Sequence, residues 1–383
     1  MPIKNLIKKE IARQKKTLSL IPSENYASKA VMAAVGSPLM NKYAEGYPHK
    51  RYYNGNDIVD QVEDEVRRLA LKAFKLDATK WGANVQAHSG SPANLAAYTG
   101  MLQMGDKIMA MSLSEGGHLT HGSPVSLTSK LFKFQHYGVN ADGYLDYDEI
   151  LRLAKEFQPQ LIVCGFTAYT RTVEFKKFRE IADAVGAKLM ADVSHIVGLI
   201  VGGAHPSPFP YADVVTFTTH KTLRGPRGAV IIARAELIDG INKALFPGMQ
   251  GGPHLHSIAG IGVAFEEALT PSFKTYAKQI VKNAKALAKE LTKLGYTLVS
   301  GGTDNHLMLV DLRPQGITGG DAANMLEKHG LVVNKNSIPH DPAKPWKPNG
   351  IRLGTPAATT RGMKEKDMIK LARKIHEILS KKK

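Results

Sequence analysis

The sequence predicts an α/β protein with a mostly parallel, helix-covered sheet, followed by a smaller α+β region. Two observations carry this prediction. In the first two thirds of the chain, short apolar or β-branched runs alternate with segments of helical periodicity. Beyond the glycines at 251 and 252, long helical stretches and shorter strands replace that alternation. We expect an N-terminal arm over residues 1–40, a large domain over 41–270 and a small C-terminal domain over 271–383.

The composition is that of an ordinary globular chain with excess positive charge. Of its 383 residues, 43% are hydrophobic and 22% charged, and the net charge is +17. No apolar run approaches the roughly 18 residues that span a bilayer, so no membrane span is expected. Lys4–Lys16 contains Glu10 and no apolar region follows it, so we expect no secretory signal. Cys164 is the only cysteine, which excludes an internal disulfide and favours a reducing, cytoplasmic compartment.

The basic residues are scattered along the chain rather than gathered in one segment. They occur near both termini and along the helical stretch Lys274–Lys293. RNA-binding aromatic motifs and zinc fingers are absent from the sequence. We therefore expect a solvated basic surface. Binding of RNA or another polyanion is the alternative, and a salt titration against a generic RNA would test it.

The N-terminal segments are predicted in chain order as helix, loop and helix. Residues 1–40 are expected to form two short helices around Leu20–Tyr26, with Pro22 ending the first. Residues 41–55 combine tyrosines with glycine and proline, which is typical of a binding loop. A helical pattern then covers Asp57–Lys75.

The central alternation and the C-terminal elements follow. Predicted strands are Lys107–Ser112, Leu131–Tyr137, Leu161–Gly165, Lys188–Ala191, Asp213–Thr219 and Ala229–Ala233. Predicted helices between them include Ala93–Met104, Tyr147–Phe157 and Phe175–Val185. One long helical stretch crosses Pro271 and runs to about Leu294. The small domain adds strands at Thr297–Ser300, His306–Asp311 and Val332–Asn334 and helices at Gly320–His329 and Lys364–Ser380.

Lys221 is the first candidate for chemistry, because it follows the strand-like run Asp213–Thr219. Ligands of parallel sheets bind at the carboxyl ends of the strands. A lysine can form a Schiff base with an aldehyde cofactor when neighbouring cations, here Arg224 and Arg227, favour its neutral amine. An isolated lysine is more often a surface charge. The rest of the chain must therefore supply a cofactor site.

Two further segments fit a phosphate-bearing ring. Ser89, Gly90 and Ser91 precede a predicted helix, where backbone N–H groups can bind phosphate, although plain capping is the commoner use of such residues. Asp192 and His195 end a predicted strand, and a carboxylate there could hold the protonated ring nitrogen of pyridoxal phosphate. A helix N-cap is the alternative for Asp192.

Histidines and one arginine complete the candidates. His118 and His121 lie in a glycine-rich loop, and stacking on a flat cofactor suits them better than metal binding, so no metal site is predicted. Arg352 lies in a short apolar strand, where either a substrate carboxylate or a structural salt bridge could satisfy it.

The motifs taken together resemble the serine hydroxymethyltransferases, which are fold-type I pyridoxal phosphate enzymes. The resemblance runs along essentially the whole chain. In order, the motifs are Tyr-Ala-Glu-Gly-Tyr-Pro (43–48), His-Ser-Gly-Ser (88–91), Gly-Gly-His-Leu-Thr-His-Gly (116–122), Thr-Thr-His-Lys-Thr-Leu-Arg-Gly-Pro-Arg-Gly (218–228), Gly-Gly-Pro (251–253) and Gly-Thr-Asp-Asn-His-Leu (302–307). Glu115 departs from the family, which often has histidine there.

The resemblance implies specific roles around the cofactor. Lys221 would carry the internal aldimine, Asp192 would bind the pyridine nitrogen, and His118 would stack on the ring. His195 and Thr167 would contact the phenolic oxygen. The phosphate would be bound by Ser89, Gly90, Ser91 and His220, with Gly251, Gly252 and Tyr43 of a partner subunit.

The resemblance also implies the substrates and the assembly. Arg352 and Ser23 would hold the amino acid, while Glu45 and Tyr53 of the other subunit would serve the reacting hydroxymethyl group, with Glu45 as the proton carrier. The folate site would be lined by Leu113, Gly117, Leu119 and Asn336. The expected protein is at least a homodimer with shared sites, and its reaction is reversible transfer of the serine hydroxymethyl group to tetrahydrofolate, giving glycine and 5,10-methylenetetrahydrofolate. A folate-independent aldolase acting on threonine-like β-hydroxy amino acids is the alternative, against which Glu45, Tyr53 and Asn336 argue.

Overall fold

A computed structural model describes residues 1–344 and 346–381. The helices are α1 Pro2–Lys16, α2 Lys29–Val35, α3 Asp57–Ala73, α4 Gly90–Met101, α5 Thr128–Leu131, α6 Tyr147–Phe157, α7 Phe175–Ala184, α8 Val197–Val201, α9 Ala235–Leu245, α10 Leu255–Ala268, α11 Pro271–Lys293, α12 Gly319–Lys328, α13 Pro356–Thr360 and α14 Glu365–Ser380. The strands are β1 Leu18–Ser19, β2 Gly46–Tyr47, β3 Lys50–Arg51, β4 Trp81–Asn84, β5 Lys107–Met111, β6 Lys133–Tyr137, β7 Leu161–Gly165, β8 Lys188–Asp192, β9 Val214–Thr218, β10 Ala229–Arg234, β11 Thr297–Leu298, β12 Leu307–Asp311, β13 Leu331–Val332, β14 Asn334–Asn336 and β15 Gly350–Gly354. Across these residues, no helix combines the length and the apolar character needed to cross a membrane.

The large sheet has seven strands in the order β4-β10-β9-β8-β7-β5-β6. Strand β10 is antiparallel to both of its neighbours, and the pairs from β9 to β6 are parallel. Every residue of β7 and β9 is buried, as expected for parallel strands covered on both faces by helices. The predicted mostly parallel α/β fold is thus confirmed.

A separate antiparallel sheet of four strands, in the order β11-β12-β15-β14, forms the C-terminal part. Its apolar side packs with residues of α11, α12 and α14 in a cluster of its own. The N-terminal segment joins this region, because β1 pairs in parallel with β13 and Leu20 is fully buried in the same cluster. The proposed domain boundaries stay a prediction.

Some elements differ from the predictions. The helical stretch across Pro271 is two helices, because proline has no N–H and is tolerated only in the first turn, where it begins α11. Helix α1 ends at Lys16, well before Pro22, because the chain pairs as β1 at Leu18. Strand β4 and helix α9 were not predicted, and the predicted strand Val332–Asn334 is divided between β13 and β14.

The parallel pairing gathers the candidate residues at one edge of the large sheet. Gly165 at the end of β7 lies beside Asp192 at the end of β8, and Asp192 lies beside Thr216 of β9. The segments that follow these strands carry Thr167, His195 and Lys221. Because the strands are parallel, the three segments leave the sheet at the same edge.

Candidate active site

Asp192 is a buried carboxylate held by several donors. Its Oδ1 accepts hydrogen bonds from the Ser194 N–H (3.1 Å) and hydroxyl (2.6 Å), and its Oδ2 accepts from Asn94 Nδ2 (2.9 Å) and lies 3.2 Å from His121 Nε2. Burial alone would raise the pKa of this carboxyl, but His121, His118 and the Asn94 amide hold it well below its usual range. The side chain is therefore ionised. It does not cap a helix, since the N-cap of α8 is Ile196.

Lys221 lies just beyond β9 and is only 9% exposed. Burial lowers the pKa of its amine to about 8, with the positive charges of Arg352 and Arg227 acting in the same direction and Asp192 opposing them. Arg224, which the sequence suggested as a neighbouring cation, stacks over the ring of Tyr276 at 4.1 Å. Arg352, which lies far from Lys221 in sequence, supplies a charge that the sequence did not predict.

The histidines of the glycine-rich loop lie beside Asp192. His118 Nδ1 lies 2.7 Å from the Thr120 hydroxyl, which in turn accepts a hydrogen bond from Asn94. Burial lowers the pKa of His118 to about 4, so its ring is neutral, and a neutral flat ring suits stacking on a flat cofactor. His118, His121 and Asp192 each bring one possible metal-ligand atom within 4.8 Å of the others. Because the carboxylate already accepts several hydrogen bonds, the absence of a metal site stays our prediction.

The start of α4 leaves polar groups available to an anion. Ser89 occupies the N-cap position but makes no capping hydrogen bond through its side chain, so the capping interpretation is not fulfilled. At Gly90 an added Cβ would lie 2.8 Å from Thr218 Cγ2, which favours glycine there. Ser91 follows in the first turn of the helix. Free N–H groups and hydroxyls at a helix N-terminus suit a phosphate group.

His220 and Ser23 line a cleft of about 300 Å³ together with Arg227. The Nδ1 atom of His220 is buried without a hydrogen-bond partner among the described residues. Burial lowers the pKa of His220 to about 3, so this ring is neutral. An unpaired polar atom of this kind fits a missing ligand. Together with Lys221 and Asp192, these groups fit an aldehyde cofactor that carries a phosphate and a ring nitrogen.

Arg352 is 8% exposed and projects from the middle of β15. It donates a hydrogen bond to the backbone oxygen of Thr167 and a long one, 3.4 Å, to Asn334 Oδ1. Within residues 1–344 and 346–381 it forms no ion pair with a carboxylate, which argues against the structural salt bridge. Burial lowers the pKa of its guanidinium to about 10. The Thr167 hydroxyl donates to the Gly117 backbone oxygen at 2.8 Å, which ties this segment to the glycine-rich loop.

The tyrosine-rich loop forms a separate cluster. The Tyr43 hydroxyl donates to Glu45 Oε1 at 3.2 Å, and the rings of Tyr43 and Tyr53 meet edge to face at 5.0 Å. A Cβ at Gly251 would lie 3.2 Å from Glu45 Oε1, and one at Gly252 would lie 3.6 Å from the Tyr43 ring. The residues assigned to a partner's site therefore lie together. Both tyrosine rings are about half exposed.

Arg51 holds this loop through a network that the sequence reading missed. Its Nη1 donates to the backbone oxygens of Ala44 (3.0 Å) and Gly46 (2.8 Å), on either side of Glu45. The rest of the guanidinium bonds two buried carboxylates of α3, Asp60 at 2.8 Å and Glu63 at 2.7 Å. The sequence could have indicated this network, because it has one arginine in the loop and acidic residues on the buried face of the next helix.

The predicted folate residues occupy two neighbouring segments. Leu113 and Leu119 are about half exposed on the loop after β5, and Gly117 cannot carry a side chain because a Cβ would lie 2.1 Å from the Met111 oxygen. Asn336 ends β14, where its amide donates to the Ser337 oxygen at 2.7 Å.

Glu115 connects these two segments. Its Oε1 accepts a hydrogen bond from the His340 N–H at 3.2 Å, and its Oε2 is buried without a partner among the described residues. The loop after β5 and the chain after β14 are therefore in contact.

Comparison with known proteins gives two matches. A family model described as serine hydroxymethyltransferase matches residues 1–375. A curated protein of Myxococcus xanthus (strain DK1622) named serine hydroxymethyltransferase is 53% identical over 378 residues, which cover 98% of this chain and 90% of that relative.

Proposed function

The chain belongs to the serine hydroxymethyltransferase family, and on that premise we propose which of its residues carry out the reaction. The reaction is reversible transfer of the serine hydroxymethyl group to tetrahydrofolate, giving glycine and methylenetetrahydrofolate. Bound pyridoxal phosphate supplies a ring that accepts the electron pair released when the Cα–Cβ bond of serine breaks. The observation that carries the assignment of roles is that the buried Lys221, with its lowered pKa, and the ionised Asp192 lie at the ends of the adjacent parallel strands β9 and β8.

Lys221 is the residue that would hold the cofactor covalently. A pKa of about 8 leaves a useful fraction of neutral amine near neutral pH, and only the neutral amine bonds to an aldehyde carbon. The same property would help Lys221 to leave as a neutral amine when the amino group of serine takes its place. Asp192, ionised and fixed by Ser194 and Asn94, would keep a proton on the ring nitrogen. His118 would lie on the ring as a neutral, flat partner.

The phosphate would lie at the start of α4. Ser89, Gly90 and Ser91 offer hydroxyls and backbone N–H groups there, and His220 offers its unpaired ring nitrogen. Because His220 is neutral, it contributes a hydrogen bond rather than a charge.

Arg352 would bind the substrate carboxylate, and Ser23 would contribute a second contact to the amino acid. The guanidinium is buried and lacks an acidic partner within the described residues, so a substrate carboxylate would remove an electrostatic penalty as it binds. This fixes the orientation of the amino acid, and hence the bond that is aligned for cleavage. His195 and Thr167 would contact the ring oxygen of the cofactor.

Glu45 and Tyr53 would act on the hydroxymethyl group of a neighbouring subunit. They lie with Tyr43 and the glycines at 251 and 252 in a cluster whose hydrogen bond and ring contact, within the described part of the chain, do not involve Lys221. Helix α1 buries none of its residues, although Ile3, Ile7 and Ile11 form an apolar stripe that is at least half exposed. These features support a homodimer with shared sites. Glu45 would then move the proton at the leaving oxygen or at the folate nitrogen.

Tetrahydrofolate would bind between the loop after β5 and the end of β14, along Leu113, Gly117, Leu119 and Asn336. The contact of Glu115 with His340 supports this placement, because it brings the two segments together. A cytoplasmic location is also proposed, and the buried free thiol of Cys164 supports it.

The test is a serine-to-glycine assay with and without tetrahydrofolate on purified, cofactor-loaded protein. We expect folate-dependent glycine formation and a visible cofactor band that glycine perturbs. Lys221→Ala should lose turnover, whereas the matched control Lys176→Ala, at an exposed helix position, should keep it. Equal serine cleavage with and without folate would favour the folate-independent aldolase instead.

A further inference from the structure

His195 and His306 form a buried pair that joins the seven-stranded and the four-stranded sheets. His195 Nδ1 lies 3.2 Å from His306 Nε2, and the two rings stack with centroids 5.4 Å apart. His195 follows β8 of the parallel sheet, and His306 directly precedes β12 of the antiparallel sheet. The side chains are 4% and 0% exposed, so water does not compete for this contact.

Both rings are neutral at ordinary pH. Burial lowers the pKa of His306 to about 3 and that of His195 well below its usual range, and the positive charges of Lys221 and Arg352 act in the same direction. A neutral imidazole carries one hydrogen, on either Nδ1 or Nε2. One ring must therefore donate the shared hydrogen bond and the other must accept it.

The second ring nitrogen of His306, which does not contact His195, indicates which ring donates. Its Nδ1 is buried and has no hydrogen-bond partner among the residues that the structure describes. If His195 donated, the hydrogen of His306 would lie on that atom as a buried N–H without an acceptor. If His306 donates from Nε2, the same atom carries only a lone pair. Buried donors without acceptors are the rarer of the two cases.

The backbone on both sides holds the pair in this arrangement. The Asn305 side chain donates to the Tyr169 backbone oxygen (3.0 Å) and accepts from the Leu307 N–H (3.0 Å). On the other side, the hydroxyl of Thr222, the residue after Lys221, donates to the His195 backbone oxygen at 3.0 Å. These bonds fix the backbone that carries each ring.

We infer that His306 is a positioning residue: it donates to His195 Nδ1 and so fixes His195 as an Nε2–H donor toward the ring oxygen of the cofactor. This inference rests on the proposed contact between His195 and that oxygen. A donor stabilises the oxygen in its anionic form, whereas the opposite tautomer would present a lone pair and repel it. The C-terminal sheet thus controls a hydrogen bond in the cofactor site without touching the cofactor.

The experiment compares His306→Gln with His306→Leu. The glutamine amide can replace the Nε2 donor, whereas leucine fills a similar volume and cannot donate. The tautomer of His195 is measured by 15N NMR on histidine-labelled protein, first without and then with cofactor, and its signals are assigned with His195→Gln. The visible band of the cofactor, kcat and the KM for serine are measured on the loaded proteins, and thermal unfolding checks that each variant folds.

We expect the Nε2–H tautomer of His195 in the wild-type protein and in His306→Gln. In His306→Leu we expect the tautomer to change, the visible band to shift and kcat to fall about tenfold relative to His306→Gln, with a smaller change in KM. A wild-type His195 with its hydrogen on Nδ1 overturns the inference. It also fails if the leucine variant keeps both tautomer and band, or if glutamine performs no better than leucine.

The readouts separate this inference from the proposed function. The tautomer without cofactor does not depend on the reaction, whereas folate-dependent glycine formation by the wild-type protein tests the function alone. Should His306→Leu fail to fold, the wild-type tautomer and the glutamine variant still decide the matter.

Discussion

Replacing Arg352 with methionine should make the protein more stable without substrate and should weaken its stabilisation by serine. The guanidinium is 8% exposed, forms no carboxylate ion pair within the described residues, and is held mainly by a hydrogen bond to the Thr167 backbone oxygen. Methionine has a similar length, suits the apolar strand and carries no charge to desolvate.

The magnitude follows from the pKa of Arg352, which burial lowers to about 10. For a basic group, a lowered pKa in the folded state means that folding disfavours the charged form at every pH below that value. With about 1.4 kcal/mol for each tenfold change in the protonation equilibrium, the charged side chain costs about 3 kcal/mol of folding free energy at neutral pH. Loss of the hydrogen bond to Thr167 offsets about 1 kcal/mol, which leaves a gain of about 2 kcal/mol.

Bound serine should remove most of this difference in stability. Serine at about one hundred times its dissociation constant stabilises the wild-type protein by about 2.7 kcal/mol. Loss of a charge-assisted hydrogen bond to the carboxylate weakens binding by about 10- to 100-fold, so the same serine concentration should stabilise the variant by only about 0.4 to 1.4 kcal/mol.

Thermal unfolding of the cofactor-loaded proteins with and without serine measures both effects. The control is Arg68→Met, at an exposed arginine paired with the exposed Glu65, which should change stability little and keep the full response to serine. The reasoning is refuted if Arg352→Met unfolds several degrees below the wild type without serine, or if it keeps the full stabilisation by serine.

Three other predictions concern the loop network, the lysine and a packed glycine. Arg51→Met should destabilise the protein by about 3–5 kcal/mol in urea unfolding, because it leaves buried carboxylates unpaired. Adding Glu63→Gln should recover part of this loss. A loss under about 1 kcal/mol would contradict the stabilising role of the network. The rate at which cofactor-free protein regains its visible band on addition of pyridoxal phosphate should rise with pH through about 8, as Lys221 loses its proton, and a rate independent of pH would argue against this. Gly198→Ala should lower both the melting temperature and the turnover, because its Cβ would lie 2.3 Å from the backbone of Thr222, the residue after Lys221. An unchanged melting temperature and kcat would show that the packing tolerates a side chain.

Local patterns in the sequence were sufficient to predict several elements and the order in which strands and helices follow one another. Helix α6 and strand β7 have the predicted bounds, because strong periodicity and a fully apolar run are local properties of the chain. Periodicity could not show that Pro271 begins a new helix, because the apolar pattern continues across it. Strand β4, only four residues long, gave no pattern distinct from a loop.

The sequence alone placed Lys221 and Asp192 at the carboxyl ends of strands. Because the alternation of strands and helices predicts a parallel sheet, it also predicted that these ends lie at one edge. Its motifs also indicated the family. Only the tertiary structure decided that Arg352 is buried without an acidic partner, that Arg51 holds the backbone on both sides of Glu45, and that His306 contacts a histidine 111 residues away. These features depend on burial and on which segments the folded chain brings into contact, whereas a sequence pattern records only the faces and ends of single elements.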